Sequence, residues 1–205
     1  MARIFTVPVQ QFIATPTLTS VTPTGGTATT WTYKIVGVDA RGGVTAASAG
    51  SSTGAGAATL DVTHYNTLAW TDPANAVSIR IYRTVAGGTP STLGLIGTVL
   101  AGVQTFVDNG VAGDASTAPS VNTTGVGASV ECASLRDKSV QVDGTFSSTN
   151  QIQGTIDGVN WQNEGSAATG AAVVNITTSW MSIRNKQTAF TSGTPTITLL
   201  GHEER

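Results

Sequence analysis

The sequence is poor in the residues on which most enzyme chemistry depends. Its 205 residues include two histidines, one cysteine and 11% charged residues, and the formal net charge is −2 at pH 7. A single cysteine, Cys132, excludes a disulfide within these residues. The chain lacks the basic excess with which proteins neutralise phosphates, so nucleic acid is not expected as a partner. A membrane is not expected either, because no window approaches the roughly 18 apolar residues of a spanning helix.

Helical patterning is also missing, and strand patterning takes its place. Apolar residues do not recur at spacings of three and four, and β-branched residues and glycines interrupt every candidate helix. Apolar and polar residues alternate instead in Trp31–Ile35 and in Val77–Tyr82, which is typical of strands with one buried face. The abundance of Thr, Ala, Gly, Ser and Val suits short strands joined by tight turns. The sequence therefore predicts an all-β protein.

Two stretches of low complexity divide the chain. Ser48–Ala57 and Gly110–Ser129 contain no large aromatic or long apolar side chains that could anchor them, so both are expected to be exposed and mobile. The second stretch is the longer and contains Pro119, and we place the domain boundary there. The chain is accordingly predicted to comprise four parts: an N-terminal arm (1–15), a first β-sandwich (16–113), a flexible linker (114–129) and a C-terminal β-sandwich (130–205).

Sequence motifs for catalysis and metal binding are weak. His64 and His202 have no Cys or His at metal-ligand spacing. Gly50–Gly54 has the Gly-x-Ser-x-Gly spacing of a hydrolase elbow but lacks its strand–turn–helix context. Cys132 is expected to be a buried structural thiol, and the acidic residues near Asp108 fit turns better than a calcium loop. We expect no catalytic residue, no cofactor and no metal, and hence no enzyme.

An aromatic side chain beside a predicted turn offers the one candidate ligand surface. Asp157–Gly158 is a strong two-residue hairpin signal, and Asn160, Trp161 and Asn163 follow it. An indole face can stack on a sugar ring while the amides hydrogen-bond its hydroxyls, so these residues are a candidate glycan contact. Packing of Trp161 at the edge of the core is the favoured alternative, because tryptophan is usually buried.

Several segments of the first predicted sandwich resemble strands of fibronectin type III domains. Leu68–Pro73, Val77–Arg83, Leu95–Val99 and Thr105–Asp108 resemble that family's second to fifth strands in order. Trp31–Gly43 resembles its sixth strand and the turn that follows, yet it precedes the others. The resemblance therefore implies a circularly permuted fibronectin type III or Ig-like domain over Pro16–Gly113, which sandwich folds tolerate because their ends lie at the surface.

The permuted resemblance makes definite demands on the strand arrangement. The family's third and sixth strands are antiparallel neighbours, so Val77–Arg83 should pair with Trp31–Val38. Trp31, Tyr33 and Ile35 should then share an inner face with Val77, Ile79 and Ile81. Trp70 should reach that face from the opposing sheet. In this interpretation Ser48–Ala57 only connects the former last strand to the former first strand.

The resemblances extend to proteins of bacteriophage particles. The permuted arrangement resembles modules of phage tail and capsid accessory proteins. Ile152–Trp161, Trp180–Arg184 and Ser192–Thr198 are similar to small β-sandwich domains of phage structural proteins. These resemblances imply a non-enzymatic virion protein, a capsid decoration or cement protein or a head fibre, assembled in the cytoplasm of the host bacterium. A tail or baseplate protein that binds host surface glycans through the C-terminal sandwich is the alternative.

The expected partners follow from that function. They are the major capsid protein or other virion proteins, and further copies of the chain in a closed homo-oligomer, with a trimer preferred. The candidate contact residues in the N-terminal arm are Phe5, Val7, Val9 and Phe12. The alternation of Phe5, Val7 and Val9 suits addition of a strand to a neighbouring subunit or to the capsid.

Overall fold

The computed structural model of the chain describes residues 1–203, which form fifteen β-strands and no helix. The prediction of an all-β protein is therefore confirmed. Among these residues there is no helix long and apolar enough to cross a membrane.

The chain divides into two compact units, and one of them is interrupted in sequence by the other. The inserted unit is Ile13–Thr123. The split unit combines Met1–Phe12 with Thr124–Arg205. The predicted first sandwich, 16–113, lies within the inserted unit. The predicted C-terminal sandwich, 130–205, lies within the split unit, with its last two residues outside the described part.

The inserted unit contains two antiparallel sheets. Its strands are β2 (Thr17–Thr24), β3 (Thr29–Val38), β4 (Ser51–Gly56), β5 (Tyr65–Thr71), β6 (Ser78–Ala86), β7 (Gly94–Leu100) and β8 (Thr105–Asp108). One sheet has the order β2-β5-β8 and the other the order β4-β3-β6-β7. Buried residues from both sheets form one hydrophobic cluster, as in a β-sandwich.

The central pairing of the inserted unit confirms what the permuted interpretation demanded. Strands β3 and β6 are antiparallel neighbours, with Ile35 opposite Ile81. Trp31 and Ile79 are fully buried in the same cluster, and Trp70 from the facing sheet is 3% exposed. Val77 was expected on the inner face, but it precedes the first residue of β6 and is 44% exposed.

The predicted loop Ser48–Ala57 is wrong in its central part, because Ser51–Gly56 forms the edge strand β4. Its main chain pairs with β3, with Thr53 opposite Trp31. Gly56 is required there, since a Cβ atom at this position would overlap the Trp31 indole. The strand is held by backbone hydrogen bonds and close packing of small residues, and neither leaves an apolar alternation in the sequence.

The split unit also contains two antiparallel sheets around a hydrophobic cluster. Its strands are β1 (Ala2–Thr6), β9 (Val130–Glu131), β10 (Leu135–Asp143), β11 (Phe146–Thr155), β12 (Gln162–Ala168), β13 (Ala172–Ile176), β14 (Ser182–Gly193) and β15 (Thr196–Glu203). The sheet orders are β1-β15-β10-β13 and β12-β11-β14-β9.

The prediction that residues 1–15 form an arm outside both cores is wrong. Strand β1 pairs with β15 of its own chain, with Phe5 opposite Leu199. Val7 is 1% exposed within the core cluster, and Phe5 and Val9 pack against that cluster. Phe12 is half-buried, and its backbone N–H donates to Gln187 Oε1 at 2.8 Å. A strand is added to a sheet edge at Ala2–Thr6, but the sheet belongs to the same chain, and of the alternating residues only Phe5 falls within that strand.

The prediction of a flexible linker over 114–129 is also wrong. Main-chain hydrogen bonds fix this stretch along its length, first to the inserted unit and then to the split unit. The Thr123 N–H donates to Val44 O at 2.8 Å, and the Gly127 N–H donates to Asn185 O at 2.9 Å. Its composition misled the prediction because small residues can be held by their backbone alone.

Candidate functional site

The turn that precedes the candidate glycan residues is organised by one carboxylate. Between β11 and β12 lies the loop Ile156–Trp161, which is longer than the predicted two-residue hairpin and in which Gly158 has a φ of 75°. Asp157 Oδ1 accepts hydrogen bonds from the backbone N–H groups of Val159 and Asn160 at 2.9 and 2.8 Å. The Asn160 amide Nδ2 donates to Asp157 Oδ2 at 2.7 Å. Asn160 is thus committed to the turn.

These hydrogen bonds give the turn a dependence on pH. They hold the pKa of Asp157 well below its ordinary value, with the Asn160 side chain as the largest cause. A carboxyl group whose pKa is lowered by folding stabilises the protein above its unfolded pKa, and this contribution is lost as the pH falls towards the lower folded value.

We expect Asp157→Ala to lower the free energy of unfolding at neutral pH and to have progressively less effect as the medium is acidified below about pH 4, the ordinary carboxyl range. Denaturant midpoints of the wild type and the variant, measured from pH 7 to pH 2, test this. Two curves separated by the same amount at every pH would refute the assignment.

Trp161 stacks on an arginine of the neighbouring surface instead of packing in the core. The Arg184 guanidinium carbon lies 4.0 Å from the centroid of the half-buried Trp161 ring. Such a contact is a cation–π interaction, worth about 0.5–1 kcal/mol where exposed. The indole and the guanidinium therefore form one pair on the outer face of the β12-β11-β14 part of the sheet.

A row of hydrogen-bonded side chains crosses three strands next to this pair. Arg184 on β14 lies opposite Gln153 on β11, and Gln153 lies opposite Asn163 on β12. Arg184 Nε donates to Gln153 Oε1 at 3.0 Å, and Gln153 Nε2 donates to Asn163 Oδ1 at 3.0 Å. The row is built by register, since directly opposed residues in adjacent strands point to the same face.

The inner face behind this row is tightly packed. A Cβ atom on Gly154 would overlap the indole of Trp180, so only glycine lets that ring lie against β11. Trp180 Nε1 donates to Glu164 Oε2 at 2.6 Å, and the backbone N–H of Thr177 donates to Glu164 Oε1 at 3.4 Å. Both tryptophans of this region are thus fixed, one on each face of the sheet.

The inserted unit contains a network of hydrogen-bonded polar side chains that is buried from solvent. Arg83 and Asp108 are both fully buried, and Arg83 Nη2 donates to Asp108 Oδ1 at 2.6 Å. Tyr33 donates its hydroxyl to Asp108 Oδ2 at 2.8 Å and accepts a hydrogen bond from Asn66 Nδ2 at 2.8 Å. Burial, followed by the charge of Asp108, raises the pKa of Tyr33 above its ordinary value. This group stabilises the interior and presents no surface to a ligand.

The other residues considered for chemistry lie apart from one another. His64 Nδ1 lies 3.2 Å from Asp61 Oδ1 in an exposed turn. Ser52 Oγ of the Gly50–Gly54 motif lies 2.7 Å from Thr32 Oγ1. Cys132 is buried as predicted, and desolvation raises the pKa of its thiol. In the part of the chain that the structure describes, no group of three or more His, Cys, Asp or Glu residues could hold a metal ion.

Two members of the stacked and hydrogen-bonded surface, Gln153 and Arg184, were not predicted as site residues. From the sequence, each is only one of the polar residues that alternate with apolar residues along a strand. The register of β11 with β14 is what brings them to Trp161 and Asn163.

Comparisons of the chain with protein-family models, with curated proteins and with solved structures find no match.

Proposed function

We propose that the chain is a non-enzymatic structural protein of a bacteriophage particle, a capsid decoration or cement protein or a head fibre. The observation that carries the proposal is the strand order of the inserted unit. Strand β3 lies beside β6 although β4 and β5 intervene in sequence. A permuted fibronectin-like arrangement requires this neighbourhood, and the resemblance of that arrangement is to phage accessory proteins.

The contact with a partner is proposed at the free edge of β1. This strand is the last of its sheet and is paired on one side with β15. An edge strand presents main-chain N–H and C=O groups that can pair with a strand of another chain. Strand addition by a capsid subunit or by a second copy would therefore use this edge while Val7 stays in the core of its own unit.

Copy number in purified particles tests the proposal. Quantitative mass spectrometry should find tens to hundreds of copies per particle, and a particle reconstruction should place them on the head in closed oligomers, with trimers preferred. Absence from washed particles, or isolated copies without contact to one another, would contradict the proposal.

A tail or baseplate protein that binds host glycans is the second proposed function. The stacking of Trp161 on Arg184 at 4.0 Å at the surface of the split unit favours it. A small copy number in multiples of three or six, together with a position on the tail, would replace the first proposal with this one.

A further inference from the structure

We propose that the row formed by Arg184, Gln153 and Asn163, together with the Trp161 indole, binds the carboxylate of an acidic saccharide. The inference deepens the second proposed function and rests on it, because it names the class of glycan. The carboxylate would be held by Arg184 Nη1 and Nη2 at one end of the row. Asn163 Nδ2 lies at the other end, two strand spacings or about 10 Å away, and would donate to another oxygen of the saccharide.

The direction of the hydrogen bonds follows from the chemistry of arginine. A guanidinium can only donate hydrogen bonds, so the Gln153 atom that meets Arg184 Nε must be the carbonyl oxygen. The Gln153 amide nitrogen then faces Asn163, whose oxygen must accept. The Asn163 nitrogen is consequently left as a donor. Both ends of the row offer donors, so the complementary ligand is a saccharide that presents a carboxylate to the Arg184 fork and an accepting oxygen to Asn163.

The arginine is held in place before any ligand arrives. Its Nε is fixed by Gln153, which is 8% exposed, and its guanidinium carbon lies 4.0 Å from the centroid of the Trp161 ring. A guanidinium fixed in this way loses less side-chain entropy on binding than a free one. Its two Nη groups form the fork that matches a planar carboxylate with two parallel hydrogen bonds.

Among the residues that the structure describes, the charge of Arg184 is not neutralised by a neighbouring carboxylate. Burial is the only cause of the lowered pKa of Arg184, and in residues 1–203 no acidic side chain lies within ion-pair distance of it. Lys186 follows two residues later on β14, so it lies on the same face. Glu131, opposite Ser182 on β9, is the acidic residue in the neighbouring row. The indole beside the fork supplies an apolar surface for the C–H groups of a sugar ring.

Binding of defined oligosaccharides to the full chain tests the proposal. The probes are tetramers of galacturonate and of mannuronate, a sulfated glucose tetramer and a neutral glucose tetramer, each titrated by calorimetry at low salt. We expect at least one uronate tetramer to bind more tightly than the sulfated tetramer, and the neutral tetramer to bind at least tenfold more weakly.

Two variants separate the site from general electrostatics. Asn163→Asp still accepts the bond from Gln153, but it removes the donor and adds a negative charge. It should weaken uronate binding about 2- to 12-fold, the range for loss of a hydrogen bond to a neutral group. Arg184→Lys keeps the charge but loses the fork, and it should also weaken binding. Arg41→Gln, which removes an exposed arginine of the inserted unit, is the matched control and should bind as the wild type does.

Failure of this inference can be told from failure of the proposed functions. Equal binding of the neutral tetramer would overturn the carboxylate while leaving a glycan site in place. Equal binding of the sulfated tetramer would overturn the selectivity for carboxylate. No binding of either uronate, or equal binding by Asn163→Asp, would overturn the site. Copy number and position in the particle are measured independently of all four results.

Discussion

Replacing Asp108 by alanine should lower the free energy of unfolding of the inserted unit by about 3–5 kcal/mol, the range for breaking a buried ion pair. The reason is that Arg83 would remain in the interior with its charge uncompensated, although both partners are fully buried. Tyr33 would also lose the acceptor of its hydroxyl group. Denaturant unfolding followed by hydrogen exchange at the amides of each unit measures the effect, because a chain with two units need not unfold in one step.

A double variant distinguishes loss of the pair from loss of packing. Arg83→Met combined with Asp108→Leu removes both charges and keeps apolar volume, so it should cost much less than Asp108→Ala alone. If the double variant were as unstable as the single one, the uncompensated charge would not be the cause. Protection of amides in the split unit should stay unchanged in both variants.

Replacing Val7 by aspartate should lower the free energy of unfolding of the split unit by more than about 3 kcal/mol, because it buries an unpaired charge. Val7 is 1% exposed and lies in the core cluster of that unit. Ile4→Asp is the matched control on the same segment, since Ile4 is 72% exposed on strand β1. Unfolding curves of the two variants, resolved by unit through hydrogen exchange, make the comparison.

The outcome also decides what the N-terminal segment does. If Val7→Asp were no more harmful than Ile4→Asp, Val7 would not contribute to the core, and the interpretation of residues 1–15 as an external arm would stand again. If Val7→Asp unfolds the split unit alone, loss of the variant from particles would report on folding. Ile4→Asp is therefore the better variant for testing partner contact at the β1 edge.

Strands with strong alternation of apolar and polar residues could be predicted from the sequence. The strands with which they pair in a sheet could not be predicted from alternation. Trp31–Ile35 and Val77–Tyr82 have the period-two pattern of half-buried strands, and the resemblance supplied their pairing, which the structure confirms. The alternation of Phe5, Val7 and Val9 is similar, but only Phe5 falls within strand β1, and the partner strand β15 is distant in sequence, with Arg3 bonded to Glu203 across 200 positions. A local pattern indicates that a segment is a strand but does not indicate which sheet the strand joins.

The candidate site shows the same limit at the level of side chains. Trp161 and Asn163 could be singled out because they follow a recognisable turn. Gln153 and Arg184 are ordinary polar residues of strands, and only the register of β11 and β14 gives them a shared partner. The burial of Arg83 was not predicted for a related reason. Arginine is almost never fully buried unless it is paired, and the sequence does not show which residue is its partner.

The insertion of one unit into the other also sets an order of events during synthesis. The residues of the inserted unit are continuous in sequence, so this unit can fold as soon as the ribosome has released them. Strand β1 emerges first, yet its partner strand follows 200 positions later, as the Arg3–Glu203 contact measures. At 5–20 residues per second this interval is about 10–40 s. Throughout it the nascent β1 segment, with its apolar Phe5, has no β15 to pair with.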